Sequence, residues 1–165
     1  MGPHQAVPTV TACRKSGATS NRHNDTPPPH RRSHFEPSSR GQLRLSQPGD
    51  ATDPGLLPQL TSAVDLVVTS PPYVRDSDEG ELDPEVANHD PDLALYGGAD
   101  GLSVIGPMAV TIRRLLRPGG VMAVEHDSTH SHELGVLLLD LGFDKVIDHF
   151  DHASRRHYTT AVLPA

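Results

Sequence analysis

Apolar residues along this chain gather in short, separated runs, each with its own period. The first clear run spans residues 64–69, nearly unbroken and rich in β-branched side chains, the pattern of a strand buried on both faces of a parallel sheet. It stops at Pro71-Pro72, which cannot donate ladder hydrogen bonds. A helix is predicted over about 103–116, because Ile105, Met108, Ala109, Ile112, Leu115 and Leu116 recur at helical spacing. Pro107 fits its first turn, and Arg113, Arg114 and Arg117 suit the negative end of its dipole. Pro118-Gly119-Gly120 is expected to stop it. Residues 121–125 read as another buried strand. Residues 131–141 read as a helix with Leu134, Leu137, Leu138 and Leu141 inward, closed by Gly142. Two last strands are predicted at 145–150 and 158–163. Strand, helix, strand, helix, strand, strand is the second half of a doubly wound α/β domain, with a terminal pair free to be antiparallel.

Residues 1–48 carry neither period. They are rich in Pro, Ser, Thr, Arg and His around Pro27-Pro28-Pro29-His30-Arg31-Arg32. Such a stretch buries too little apolar surface to offset its ordering entropy, so a disordered leader is expected there. An alternative is an aberrant translation of what should be a domain core, and a basic arm for an anionic partner is a third. Order is expected from Gly49-Asp50 onward. With no strand ahead of it, the 64–69 strand should carry an unpaired edge, which promotes aggregation.

Composition sharpens this division. Sixteen prolines and 14 glycines in 165 residues, with 35% hydrophobic residues, suit one folded region beside one that cannot fold alone. The net charge of −7 is unevenly spread: residues 1–48 hold seven Lys/Arg against Asp25 and Glu36, and the remainder is strongly acidic. An acidic folded part opposes sequence-independent binding to nucleic-acid phosphates. A lone cysteine, Cys13, excludes an internal disulfide framework. No apolar run approaches the ~18 residues of a membrane span, and no secretory h-region opens the chain, so a cytoplasmic location is the default.

The candidate chemistry lies at Ser70-Pro71-Pro72-Tyr73, where the first buried strand ends. Ligands of open α/β sheets bind in the crevice outside the carboxyl ends of the strands. Proline fixes φ and restricts the residue before it, so Ser70 and Pro71 have little freedom. Their carbonyls and the Ser70 hydroxyl can accept hydrogen bonds from a planar NH2 group, and the Tyr73 ring can stack on it. Accepting those bonds helps free the nitrogen lone pair for attack on a methyl sulfonium. A strand followed by Pro-Pro is otherwise only a terminator. The strand before and the tyrosine after favour a substrate loop.

From Gly49 onward the chain resembles the catalytic domain of the HemK-like release factor glutamine methyltransferases. The resemblance runs through Gly49-Asp50, Val64-Asp65-Leu66-Val67-Val68, the Ser-Pro-Pro-Tyr loop, and Ala94-Leu95-Tyr96-Gly97-Gly98-Ala99-Asp100-Gly101-Leu102. It continues through Leu116-Arg117-Pro118-Gly119-Gly120 and Glu125-His126. It implies an incomplete Rossmann-like class I methyltransferase sheet, its C-terminal half, over residues 49–165. It also implies S-adenosyl-L-methionine as cofactor and, as partner and substrate, the Gly-Gly-Gln loop of a peptide chain release factor. By that resemblance Ser70 and Pro71 are catalytic, Ser70, Pro71, Pro72 and Tyr73 bind substrate, and Asp50, Ala51 and Ser70 meet the cofactor.

Two departures qualify the likeness. The family loop usually begins with Asn, and Thr69-Ser70-Pro71-Pro72-Tyr73 is also the form found in DNA cytosine-N4 methyltransferases. A nucleic-acid base amine is therefore the alternative acceptor, although no target-recognition region is legible. The family's Gly-rich cofactor turn also has no counterpart, Ser16-Gly17-Ala18-Thr19 being the nearest. A chain truncated at its N-terminus, or a non-catalytic remnant, is the resulting expectation. Among eleven histidines, His126, His130 and His132 cluster with Asp127, and His149 and His152 lie near the next strand, but the spacing matches no recognised metal site and none is expected. Glu125 and His126 match a Glu-containing position of the family, which implies a structural or pocket-lining role. The acidic run Asp76, Asp78, Glu79, Glu81, Asp83, Glu85 reads as a solvated loop or a lid.

Overall fold

The computed structural model describes residues 9–13, 35–37, 43–45, 49–81 and 91–165. The expectations for the remainder of the first 48 residues, and for Asp83 and Glu85 of the acidic run, lie outside these.

Strand β4 (Val64–Ser70) forms where the β-branched run predicts it. One helical turn, α1 (Asp92–Leu95), precedes α2 (Ile105–Leu115), whose Pro107 sits in the first turn and whose Ile105, Met108, Ala109, Ile112 and Leu115 are buried. Strand β5 (Leu116–Glu125) follows, then α3 (Ser131–Asp140), β6 (Asp144–Phe150) and β7 (Arg156–Val162). Strand β5 is parallel to β4, β7 is antiparallel to both β5 and β6, and the terminal pair is therefore antiparallel. The chain is a mixed α/β fold with α2 and α3 contributing to one core, in which Leu116, Met122, Val124, Leu134, Leu138, Phe143 and Ala161 are buried.

Four features depart from the sequence reading. First, β1 (Thr9–Cys13), β2 (Phe35–Pro37) and β3 (Leu43–Leu45) lie in a stretch without strand periodicity. Strand β1 pairs antiparallel with β4, so the sheet order is β1-β4-β5-β7-β6 and the β4 edge is filled rather than open.

Second, Pro118-Gly119-Gly120 does not stop the helix. Helix α2 ends at Leu115, and the Pro-Gly-Gly segment lies inside β5. There the Gly119 N–H donates to the Leu163 carbonyl at 2.8 Å. A Cβ on Gly120 would stand 2.8 Å from the Arg117 carbonyl oxygen, so the strand closes only around glycine.

Third, β4 is buried on one face alone. Val67, Met122 and Ala161 face each other across three strands and are fully buried. The next row, Val68, Ala123, Thr160 and Ile147, points the other way, and Val68 and Ile147 stay 46% and 52% exposed. Side chains opposite each other in neighbouring strands share a face, so this row forms one strip, open at Val68 and Ile147 and partly buried at Ala123 and Thr160. The continuous apolar run, read as two-sided burial, is explained by a sheet with both helices on one side.

Fourth, the start of the acidic run, Asp76–Glu81, is a 3-10 helix rather than a loop.

Candidate active site

Parallel pairing of β4 and β5 brings their carboxyl ends side by side, and the 70–73 loop and Glu125 lie at that edge. Pro71 and Pro72 are buried, Tyr73 is partly buried, and Ser70 is exposed. A cleft of about 440 Å³ beside the loop is lined by Val68, Thr69, Ser70, Ala123, Glu125, His157 and Tyr158. Ser70 is thus the one member of the predicted quartet on its wall.

The loop is fixed from two sides. Past Tyr73 the backbone runs alongside the Gly-rich segment: Val74 N–H donates to the Leu95 carbonyl at 2.9 Å and Gly97 N–H to the Val74 carbonyl at 2.8 Å. Asp76 N–H donates to the Gly98 carbonyl at 3.2 Å. A Cβ on Gly97 would lie 2.8 Å from the Pro72 carbonyl oxygen and 2.6 Å from that of Gly101, so the two segments meet backbone to backbone. The turn itself is pinned by Asp100, whose Oδ1 accepts from Leu102 N–H and the Ser103 hydroxyl, both at 2.9 Å. Those bonds, the Leu102 amide first, hold the Asp100 carboxyl below its ordinary value. The two motifs separated in sequence therefore build one wall.

On the other side the Tyr73 hydroxyl donates to Glu125 Oε1 at 3.0 Å, and His157 Nε2 stands 3.3 Å from the same oxygen. Glu125 lines the cleft as expected. His126 takes the structural role: it is fully buried and bridges the Thr159 hydroxyl at 2.9 Å and Asp148 Oδ1 at 3.2 Å. The Asp148 carboxylate also accepts from the Ser131 hydroxyl and from Arg156 Nη1, tying β5, β6, β7 and α3 together. Arg155 and Arg156 have separate partners, Asp151 and Asp148. His149 stacks on Tyr158 with ring centroids 4.6 Å apart. Among the described residues no group of three His, Cys, Asp or Glu is placed to hold a metal ion, and no helix is long and apolar enough to cross a membrane.

Of the residues expected to meet the cofactor, Ser70 opens onto the cleft. Asp50 is exposed, its Oδ1 accepting from Thr52 N–H at 2.8 Å and the Thr52 hydroxyl at 2.7 Å, and the Thr52 hydroxyl bond in particular lowers its pKa. Ala51 is 2% exposed and belongs to the core. Neither lines the cleft that Ser70 lines. Strand β1 sets Thr9 opposite Ser70 and Cys13 opposite Leu66. Ser16-Gly17-Ala18-Thr19 itself lies outside the described residues. Of Ser70, Asp50 and Ala51, Ser70 alone lies on the cleft.

Sequence reasoning missed the Tyr73–Glu125 bond, whose signal was available: two neighbouring parallel strands end in a tyrosine loop and a glutamate. It also missed His130, 2% exposed behind Gly101, which it treated only as one histidine of a cluster.

The crevice outside the carboxyl ends of the strands is where open α/β sheets bind ligands, and the 70–73 loop leaves β4 at that end. No protein-family model matches the chain. It is 48% identical over 113 residues to a release factor glutamine methyltransferase of Mycolicibacterium smegmatis, covering 68% of this chain and 40% of that one. To the protein of that name from Mycobacterium tuberculosis H37Rv it is 54% identical over 82 residues, covering 50% and 26%. To a 4-amino-L-phenylalanine/4-methylamino-L-phenylalanine methyltransferase of Streptomyces pristinaespiralis it is 43% identical over 119 residues, covering 72% and 38%. Over about two thirds of its length the chain is thus similar to release factor glutamine methyltransferases, at 43–48% identity. It spans about 40% of the length of the M. smegmatis relative.

Proposed function

We propose that residues 49–165 form the acceptor side of an S-adenosylmethionine-dependent N-methyltransferase acting on the glutamine of the Gly-Gly-Gln loop of a peptide chain release factor. The observation that carries this reading is the clamped loop: Ser70-Pro71-Pro72-Tyr73 is held between Gly97–Gly101 backbone and Glu125, with Ser70 on the cleft.

In this reading the Ser70 hydroxyl and the Pro71 carbonyl accept the two N–H bonds of the amide. Buried Pro72 and anchored Tyr73 keep those acceptors from moving. The amide plane is thereby oriented with its nitrogen toward the crevice, and positioning rather than acid–base catalysis supplies the rate. The cofactor, when bound, supplies the electrophilic methyl group. Ser70 stands at the junction of acceptor and donor. The partner places the protein in the cytoplasm.

A second acceptor class has a specific observation behind it. The S. pristinaespiralis relative, whose name states an aryl amine substrate, is 43% identical over 119 residues. An aryl amine presents the same planar NH2 group to the same acceptors.

The test is transfer of labelled methyl from S-adenosylmethionine to a release factor, to its Gln→Ala loop variant, to 4-aminophenylalanine and to DNA. Label in the intact release factor alone is expected. Label only in the amino acid or in DNA reassigns the acceptor, and no label in any of them sinks the enzymatic reading for this chain.

A further inference from the structure

His130 is the outlier among buried polar side chains. It is 2% exposed, and neither Nδ1 nor Nε2 has a hydrogen-bond partner. Among the described residues the only other such atom is Arg114 Nε, and that guanidinium is bonded through Nη1 to Thr61 and through Nη2 to the Leu56 carbonyl. A neutral imidazole carries one donor and one acceptor, and burying both unpaired is costly. Such a group calls for a reason.

Its surroundings supply one. A Cβ on Gly101 would lie 2.3 Å from His130 Cε1, 2.6 Å from its Nε2 and 2.6 Å from the Tyr73 carbonyl oxygen. The ring edge, the Gly101 backbone and the backbone of the acceptor loop therefore converge on one point. The ring packs against the Gly-rich turn and itself borders a second cleft, which it lines together with Arg75, Asp100, Leu102 and Glu133.

We propose that the neutral His130 imidazole is the positioning residue of the acceptor loop, acting through Gly101 on the Tyr73 backbone, and that a proton on the ring releases the loop. The proposal deepens the reading of residues 70–73 as an acceptor loop and rests on it. Charged groups reach the ring from every side. Arg75, from the segment after β4, and His126, at the end of β5, oppose a proton, whereas Asp127 and Glu133 of α3 favour one. Burial outweighs them all and, with Arg75, holds the imidazole below its ordinary value of 6.5. Protonation adds a charge beside Arg75 to a ring whose two nitrogens have no hydrogen-bond partner, and on its Gly101 side that ring meets only backbone.

The experiment is amide hydrogen exchange on the full chain, corrected for intrinsic rates, at about pH 7.5 and about pH 5.5. Acidification is expected to raise exchange at Val74, Asp76, Gly97, Gly101 and Ser103 by roughly tenfold while the β5 and β7 amides hold. His130→Gln, which keeps the bulk and cannot be protonated, should abolish that response. His130→Ala should show the released pattern at both pH values. A response that persists in His130→Gln overturns the proposal. So does a uniform rise across the sheet, or no rise in the unmodified chain. Because no methyl transfer is measured, a loop that responds this way in a chain that methylates nothing refutes the acceptor reading and leaves the positioning contact standing.

Discussion

The Tyr73 hydroxyl donates to Glu125 Oε1 across 3.0 Å, joining the loop after β4 to the last residue of β5. A tyrosine expected to stack freely on a planar substrate is instead anchored at its hydroxyl and packed against the core. Burial, followed by the Glu125 carboxylate beside it, pushes the phenol up to about 12.

Tyr73→Phe tests that anchor. Losing a hydrogen bond to a carboxylate should cost about 1–2 kcal/mol, read as a lower midpoint in urea. The phenol's pKa is raised from 10.0 to about 12 in the folded state, so its stabilisation is complete below pH 10 and is lost as pH rises through about 12. The gap between the two proteins should accordingly be constant at neutral pH and shrink in strong base. Equal midpoints at neutral pH would show that the bond contributes nothing.

Gly101→Ala attacks the other side of the loop. At φ +71 the new methyl group would meet His130 Cε1 at 2.3 Å and the Tyr73 carbonyl at 2.6 Å. Overpacking and the left-handed backbone together should cost about 3 kcal/mol. Adding His130→Ala removes one clash and leaves the backbone one, so the double variant should recover part of the loss. Full recovery would mean that the Tyr73 carbonyl moves freely and that the loop is not clamped.

The regular part of this fold was legible because its pattern is local. Ile105 to Leu115 repeat at helical spacing, and all the residues picked as core on that helix are buried. Strand β4 was legible too, but its environment was not. A run such as Leu66-Val67-Val68 looks the same whether one face or two are covered, and only the placement of both helices decides it. Pairing of Thr9–Cys13 with β4 rests on contacts more than 50 residues apart in the chain, which no periodicity encodes. Within the site, Ser70-Pro71-Pro72-Tyr73 and Gly97–Leu102 were each readable as motifs. That they are one wall depends on the Val74–Gly97 ladder, and the role of Glu125 depends on strand order.

Asp148 gathers the far end of the sheet, accepting from Ser131 and Arg156 and bridging His126. Burial works to raise its pKa, but the Ser131 and Arg156 hydrogen bonds outweigh it and hold the carboxyl below 3.8. The stabilisation is therefore present above that value and lost as pH falls through the depressed folded value. Asp148→Ala should lower stability by about 2–3 kcal/mol at neutral pH, with the deficit narrowing in acid. A thermal melt with the same deficit at every pH would mean that the effect is packing alone.

The strip open at Val68 and Ile147 replaces the open edge as the expected source of self-association. Val68 and Ile147 are 46% and 52% exposed in one cross-strand row with Ala123 and Thr160 between them. Strand β1 already pairs the β4 edge, so a charge placed there has little to correct. Threonine keeps the β-branched shape at both positions while adding a hydroxyl that water can satisfy. Val68→Thr with Ile147→Thr should change folding stability by no more than about 0.5 kcal/mol each, since neither side chain is in the core. Light scattering of concentrated protein should fall markedly. If scattering is unchanged while stability is retained, association does not run through this face.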